Sequence, residues 1–186
     1  MNKNKAKILI EKYKIPTTVN LNYSYPVKPR RYREYVGDIL PDAVKFVLEG
    51  KGYTVRLNRA FVNGVDLKTF HENNLIMVGE IFNLWKHSHI NSLRAQGYIR
   101  NLCQYDCKRI IICSLTETFE SRWFRDLDII SLGYQLLPET FYRFFEKKGE
   151  TDDRKMLTSD TLQHIDSLIT EYLENNNLLA YNYIHY

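Results

Sequence analysis

The segment GVDLKTFHENNLIMVGEIFNLWK, residues 64–86, holds one carboxylate, Asp66, before a polar tetrad and a second, Glu80, inside the apolar run Leu75–Phe82. A soluble domain rarely buries an acid without a partner or a metal. Two carboxylates brought together across a hairpin offer hard oxygens suited to Mg²⁺ or Mn²⁺. A metal held there lowers the pKa of a bound water and polarises a phosphodiester. The other reading is a solvated sheet face carrying two unrelated acids.

Register decides between them. A three-residue loop, Glu72–Asn74, centred on Asn73, sets Asp66 opposite Glu80 and Phe70 opposite Ile76. The two Cβ atoms then lie roughly 5 Å apart, and like charges so placed repel unless a cation sits between them. A two-residue Asn73-Asn74 turn sends the acids to opposite faces instead.

Positioning these acids falls to the elements on either side. Residues 34–52 read as a helix, with a restart or kink at Pro41 and a stop at Gly50 and Gly52. Three strand-like segments follow, YTVRLNRAF, VDLKTF and LIMVGEIF, the last of central-strand type. KHSHINSLRAQGYIRNL reads as a helix with Ile90, Leu93, Tyr98 and Leu102 on one side, and RIIICSL as a buried strand. TETFESRWFR is expected as a short helix, DLDIISL as a strand, and PETFYRFFEKKG as a helix from Pro138 to Gly149. A final amphipathic helix starts after an N-cap at Thr158 or Ser159. The expected fold class is α/β, an αβββαβ core with a mixed central sheet flanked by helices.

The charge is uneven. Residues 1–33 carry nine Lys or Arg against one acid, Glu11, while the whole chain has a net charge of only +4. These residues are expected to form a basic arm, 34–149 the core domain and 150–186 a C-terminal helical extension. A basic arm on a mildly acidic body fits an anionic partner such as nucleic acid, and a tail that binds nothing is the plain alternative. Arg30, Arg31 and Arg33, with Tyr32 and Tyr35, suit contact with a nucleic-acid backbone and stacking on bases. Arg94 and Arg100, with Gln96, either meet phosphates or form the solvated side of their helix. His87 and His89, two residues apart, share no helix face and read as surface residues. Cys103, Cys107 and Cys113 are too few for a disulfide framework and read as ordinary thiols. No stretch is long enough for a membrane span, and the apolar core of MNKNKAKILIEKYK is too short for a secretory signal. An intracellular protein is expected.

With Asp66 in GVDLK, Glu80 in VGEIF and this element order, the chain resembles the PD-(D/E)xK nuclease superfamily, in particular its archaeal Holliday-junction-resolvase-like branch. The resemblance implies a restriction-endonuclease-like core, Mg²⁺ or Mn²⁺ as cofactor, and DNA, including branched DNA, as partner. It further implies a homodimer, for which the apolar face of the helix at 158–177 is one candidate interface and packing within the chain the alternative. Asp66, Glu80 and the main-chain carbonyl of Ile81 are then metal ligands. An outer acid comes from the first helix, with Asp42 preferred over Asp38 and Glu34. The family's lysine belongs two residues after the glutamate, where this chain has Phe82. Lys86 or Lys68 is expected to take its catalytic role. Gln135, in LGYQLLPETFYRFF, is either a substrate contact or a turn-stabilising amide. The small size, basic arm and Lys-, Asn- and Tyr-rich composition resemble proteins of archaeal spindle-shaped viruses, which implies the host cytoplasm as location. The competing expectation is a catalytically degenerate nuclease fold that binds DNA as a structural or packaging factor.

Overall fold

A computed structural model describes residues 29–58, 64–83, 90, 92–115, 124–137, 149 and 154–179. Helix α1, Pro29–Gly50, leads into strands β1, Thr54–Leu57, β2, Leu67–His71, and β3, Asn74–Phe82. Helix α2, Ser92–Leu102, then precedes β4, Lys108–Cys113, and β5, Asp128–Ser131. Two short strands, β6 at Gln135–Leu137 and β7 at Arg154–Met156, and the helix α3, Ser159–Asn175, follow. The order from α1 to β4 is the αβββαβ order expected from the sequence. The short helices expected at 116–125 and 138–149 fall largely on residues outside those described.

Five strands form one mixed sheet in the order β1-β2-β3-β4-β5. The first three make an antiparallel meander, and β3, β4 and β5 run parallel. Strands β6 and β7 form a separate parallel pair.

Alternation along the strands divides the core between two faces. On one face Leu67, Met77, Ile81, Ile110, Ile112 and Ile130 pack with Ile39, Leu40, Val44 and Leu48 of α1 and with Leu162, Ile165, Ile169 and Leu173 of α3. On the other, Phe82, Ile111 and Cys113 pack with Ile90 and Ala95, and Val78 packs with Leu102.

Several local features differ from expectation. Helix α1 begins at Pro29, so Arg30, Arg31 and Arg33 stand on a helix and not on an extended arm. Proline suits a first helical position because its missing N–H would go unused there. The same helix runs through Pro41 without restarting. It stops as expected at Gly52, whose φ of 90° lets Tyr53 N–H return to the Leu48 carbonyl at 3.3 Å. On α2, Leu93 is 79% exposed, while Ala95 packs in the core with Ile90. Helix α3 is capped by Thr158, and its apolar face lies in the core, which removes that face as a dimer interface. Lys51, near the end of α1, meets Asp166 of α3 at 2.7 Å and ties the two helices together.

The β2–β3 connection corrects the expected loop. Glu72 and Asn73 have φ of 48° and 68°, so the turn has two residues, both left-handed, and Asn74 already pairs with His71. Near the turn Phe70 faces Leu75, not Ile76. A bulge then inserts Ile76, and from Thr69↔Met77 to Leu67↔Gly79 the pairing is the one that the three-residue loop would have produced. Without that extra residue, Asp66 and Glu80 would point to opposite faces.

Candidate functional site

Glu80 sits in β3, the middle strand of the five, and is 1% exposed. Alternation puts it between Val78 and Phe82, on the sheet face covered by α2. Its neighbour Gly79 lies on the α1 face, where a Cβ would stand 2.9 Å from Ile110 Cγ2 and 3.1 Å from the Ile110 carbonyl. Only glycine lets β3 lie this close to β4 beside the buried acid.

Asp66 immediately precedes β2. Its carbonyl accepts the Asn58 N–H at 2.9 Å, fixing the backbone, while its Oδ2 accepts the Ile81 N–H at 3.0 Å. Extending the Leu67↔Gly79 register by one residue sets Asp66 beside Glu80. The two carboxyl groups share a hydrogen bond.

Electrostatics follow from this placement. Burial, then the negative charge of Asp66 and the hydrogen bond to it, push the Glu80 carboxyl up to about 10. Burial also raises Asp66, against the pull of the Ile81 amide, Glu80 and the Arg94 cation. At neutral pH the pair therefore keeps a proton that two separate carboxyl groups would release. One oxygen, Glu80 Oε1, is buried without any hydrogen-bond partner. An orphaned carboxyl oxygen beside a second acid is a donor set that fits a hard cation.

The other expected residues divide. Ile81 is brought to the pair through its amide. Lys68 shares the face, but its ammonium lies over the Tyr105 ring, 4.7 Å from the centroid. Asp42 is buried on α1, whose core side packs against the opposite face of the sheet. Among the described residues no group of three His, Cys, Asp or Glu side chains is placed to hold a metal, so Asp42 does not complete a set with Asp66 and Glu80. Lys86, His87 and His89 lie outside the described residues. Arg100 is exposed in the last turn of α2, about 120° around the helix from Arg94. Gln135 lies in β6, not in a turn, and is 1% exposed with Nε2 unpartnered. All three cysteines are free thiols.

Two neighbours were not singled out by sequence reasoning. Tyr98 packs edge-on against Phe82, with ring centroids 4.8 Å apart, and accepts a hydrogen bond from Arg94 Nε at 2.7 Å. The four-residue spacing of Arg94 and Tyr98 on a helix was the available signal. Asn83 closes the end of β3, donating to the Leu136 carbonyl at 2.8 Å and accepting its N–H at 3.1 Å. Comparison of the chain with protein-family models, with curated proteins and with solved structures found no match in any of the three.

Proposed function

We propose that this protein is an endonuclease that uses Mg²⁺ or Mn²⁺ to hydrolyse phosphodiester bonds in DNA on a restriction-endonuclease-like core, with Holliday junctions among its substrates. The observation that carries the reading is the pairing of half-buried Asp66 with buried Glu80, one of whose oxygens is unpartnered. The αβββαβ order, with one acid immediately before the second strand and the other on the third, supports it. Asp66, Glu80 and the Ile81 carbonyl would hold the metal, which supplies a Lewis acid and a bound water of lowered pKa.

The chain's own residues set the conditions for that chemistry. The Ile81 N–H orients the Asp66 carboxylate. Burial beneath α2 keeps Glu80 out of water, so a cation is favoured there over two bare negative charges. Loading the site requires Glu80 to release its proton.

One observation favours the competing class, a DNA-binding protein that does not cut. Phe82 stands where the resembled family keeps its lysine, and the ring is buried against Tyr98. Incubation with linear and branched DNA, with and without Mg²⁺ or Mn²⁺, separates the two. We expect metal-dependent cleavage that Asp66→Ala and Glu80→Ala each abolish. Cleavage surviving both substitutions, or none with any substrate, overturns the enzymatic reading.

A further inference from the structure

The acid pair is covered on its own sheet face by α2, and that helix brings one cation towards it. Arg94 donates through Nε to the Tyr98 hydroxyl at 2.7 Å, and its guanidinium carbon lies 5.7 Å from the centre of the Tyr98 ring. The Tyr98 ring in turn packs edge-on against Phe82, the side chain two residues beyond Glu80 on the same strand face. Phe82, Tyr98 and Arg94 thus form a chain that starts on the strand bearing Glu80 and ends in an exposed positive charge. Among the described residues the strands add three more cations to this face: Lys68 lies over Tyr105, Arg56 over Phe70, and Arg109 donates to Cys103 Sγ.

We infer that Arg94 is the phosphate-binding cation of the Asp66–Glu80 site, and that Tyr98, held in place by Phe82, is its positioning residue. The apolar ring where an ammonium is expected therefore has a use, because it fixes the aromatic group that aims a guanidinium from the neighbouring helix. A guanidinium suits the task because its planar fork can give one N–H to a phenol and others to a phosphate. The rate role assigned to Arg94 rests on the proposed nuclease reading; its binding role does not.

The test separates the two. Binding of a labelled DNA duplex is measured by fluorescence anisotropy in EDTA over a range of NaCl, and cleavage is measured with Mn²⁺. Arg94→Gln should flatten the slope of log K against log salt by about 0.9, the contribution of one phosphate contact. It should also slow cleavage on the order of 100-fold. Arg94→Lys should restore the slope but not the full rate, since an ammonium lacks the fork. Tyr98→Phe should keep the slope and the thermal melting temperature while lowering kcat about 10-fold, the mark of positioning and not of charge. If wild type binds but never cleaves, the nuclease reading fails and the slope alone decides Arg94. A slope and rate unchanged in Arg94→Gln, or no binding of DNA by wild type, overturns the inference.

Discussion

Asp66, one residue beyond the last β2–β3 backbone pair, Leu67↔Gly79, accepts at its Oδ2 the backbone N–H of Ile81 at 3.0 Å. A side chain has taken over where the ladder stops, so the acid has a structural duty besides any chemical one. Asp66→Ala should strip the Ile81 amide of its acceptor and cost about 1–3 kcal/mol. Asp66→Asn keeps an oxygen there and should melt close to wild type. Both should abolish cleavage. Equal losses of melting temperature in the two variants would show that the Ile81 bond contributes nothing.

Glu80 should make stability depend on pH. Its carboxyl is raised from 4.5 to about 10, so the native protein keeps a proton that the unfolded chain releases across that window. Unfolding then liberates a proton, and stability falls as pH rises from about 4.5 towards about 10. Glu80→Gln, which can still donate to Asp66, should remove this slope and stabilise the metal-free protein at pH 8 on the order of 1–4 kcal/mol. Urea unfolding at pH 5, 7 and 9 in EDTA reads the difference. Parallel profiles for wild type and variant contradict the assignment of the proton to Glu80.

A divalent metal should reverse that penalty. Mn²⁺ must displace the proton on Glu80, so its affinity should rise with pH and its binding should release a proton. Calorimetry in two buffers of different ionisation enthalpy counts the proton directly. We expect Mn²⁺ to raise the melting temperature of wild type and to leave Glu80→Gln where it was. A shift of equal size in both proteins places the metal somewhere else.

Gly79→Ala tests the packing beneath the site. The new methyl group would meet Ile110 Cγ2 and the Ile110 carbonyl inside ordinary contact distance. Overpacking of this kind costs about 1–3 kcal/mol, and chemical denaturation should show it. The separation of β3 from β4 sets where Glu80 stands, so metal affinity should fall as well. A variant as stable as wild type would mean that the two strands part at no cost.

Much of this architecture was legible because periodicity carried it. The apolar runs of β3 and β4 and the Gly52 stop of α1 are strong signals, and each lies where its residues indicate. The two acids share a face, as one of the two registers considered required, yet the route differs. A two-residue left-handed turn at Glu72-Asn73 and a bulge at Ile76 together reproduce the effect of a three-residue loop. Pairing registers can be counted from a sequence, but a bulge depends on how the whole sheet packs. The start of α1 was hidden by the prolines at 16, 26 and 29, although Pro29 itself is well placed for a first helical position. Strands β6 and β7, three residues each, are too short to show any period. Tyr98 was read only as part of the apolar side of its helix, because its role comes from Phe82, a residue 16 positions earlier that meets it only after folding.

The joint between α1 and α3 also bears on how the protein comes into being. Ile39, Leu40, Val44 and Leu48 share a core with Leu162, Ile165, Ile169 and Leu173, more than a hundred residues later in sequence. Lys51 finds Asp166 across the same distance in sequence. On the ribosome, the early helix and the meander that carries the acids would emerge well before the segment that seals their apolar face. The nascent chain therefore holds an uncovered sheet until almost the whole described length has been made. Such late closure slows folding and leaves a window for chaperone capture.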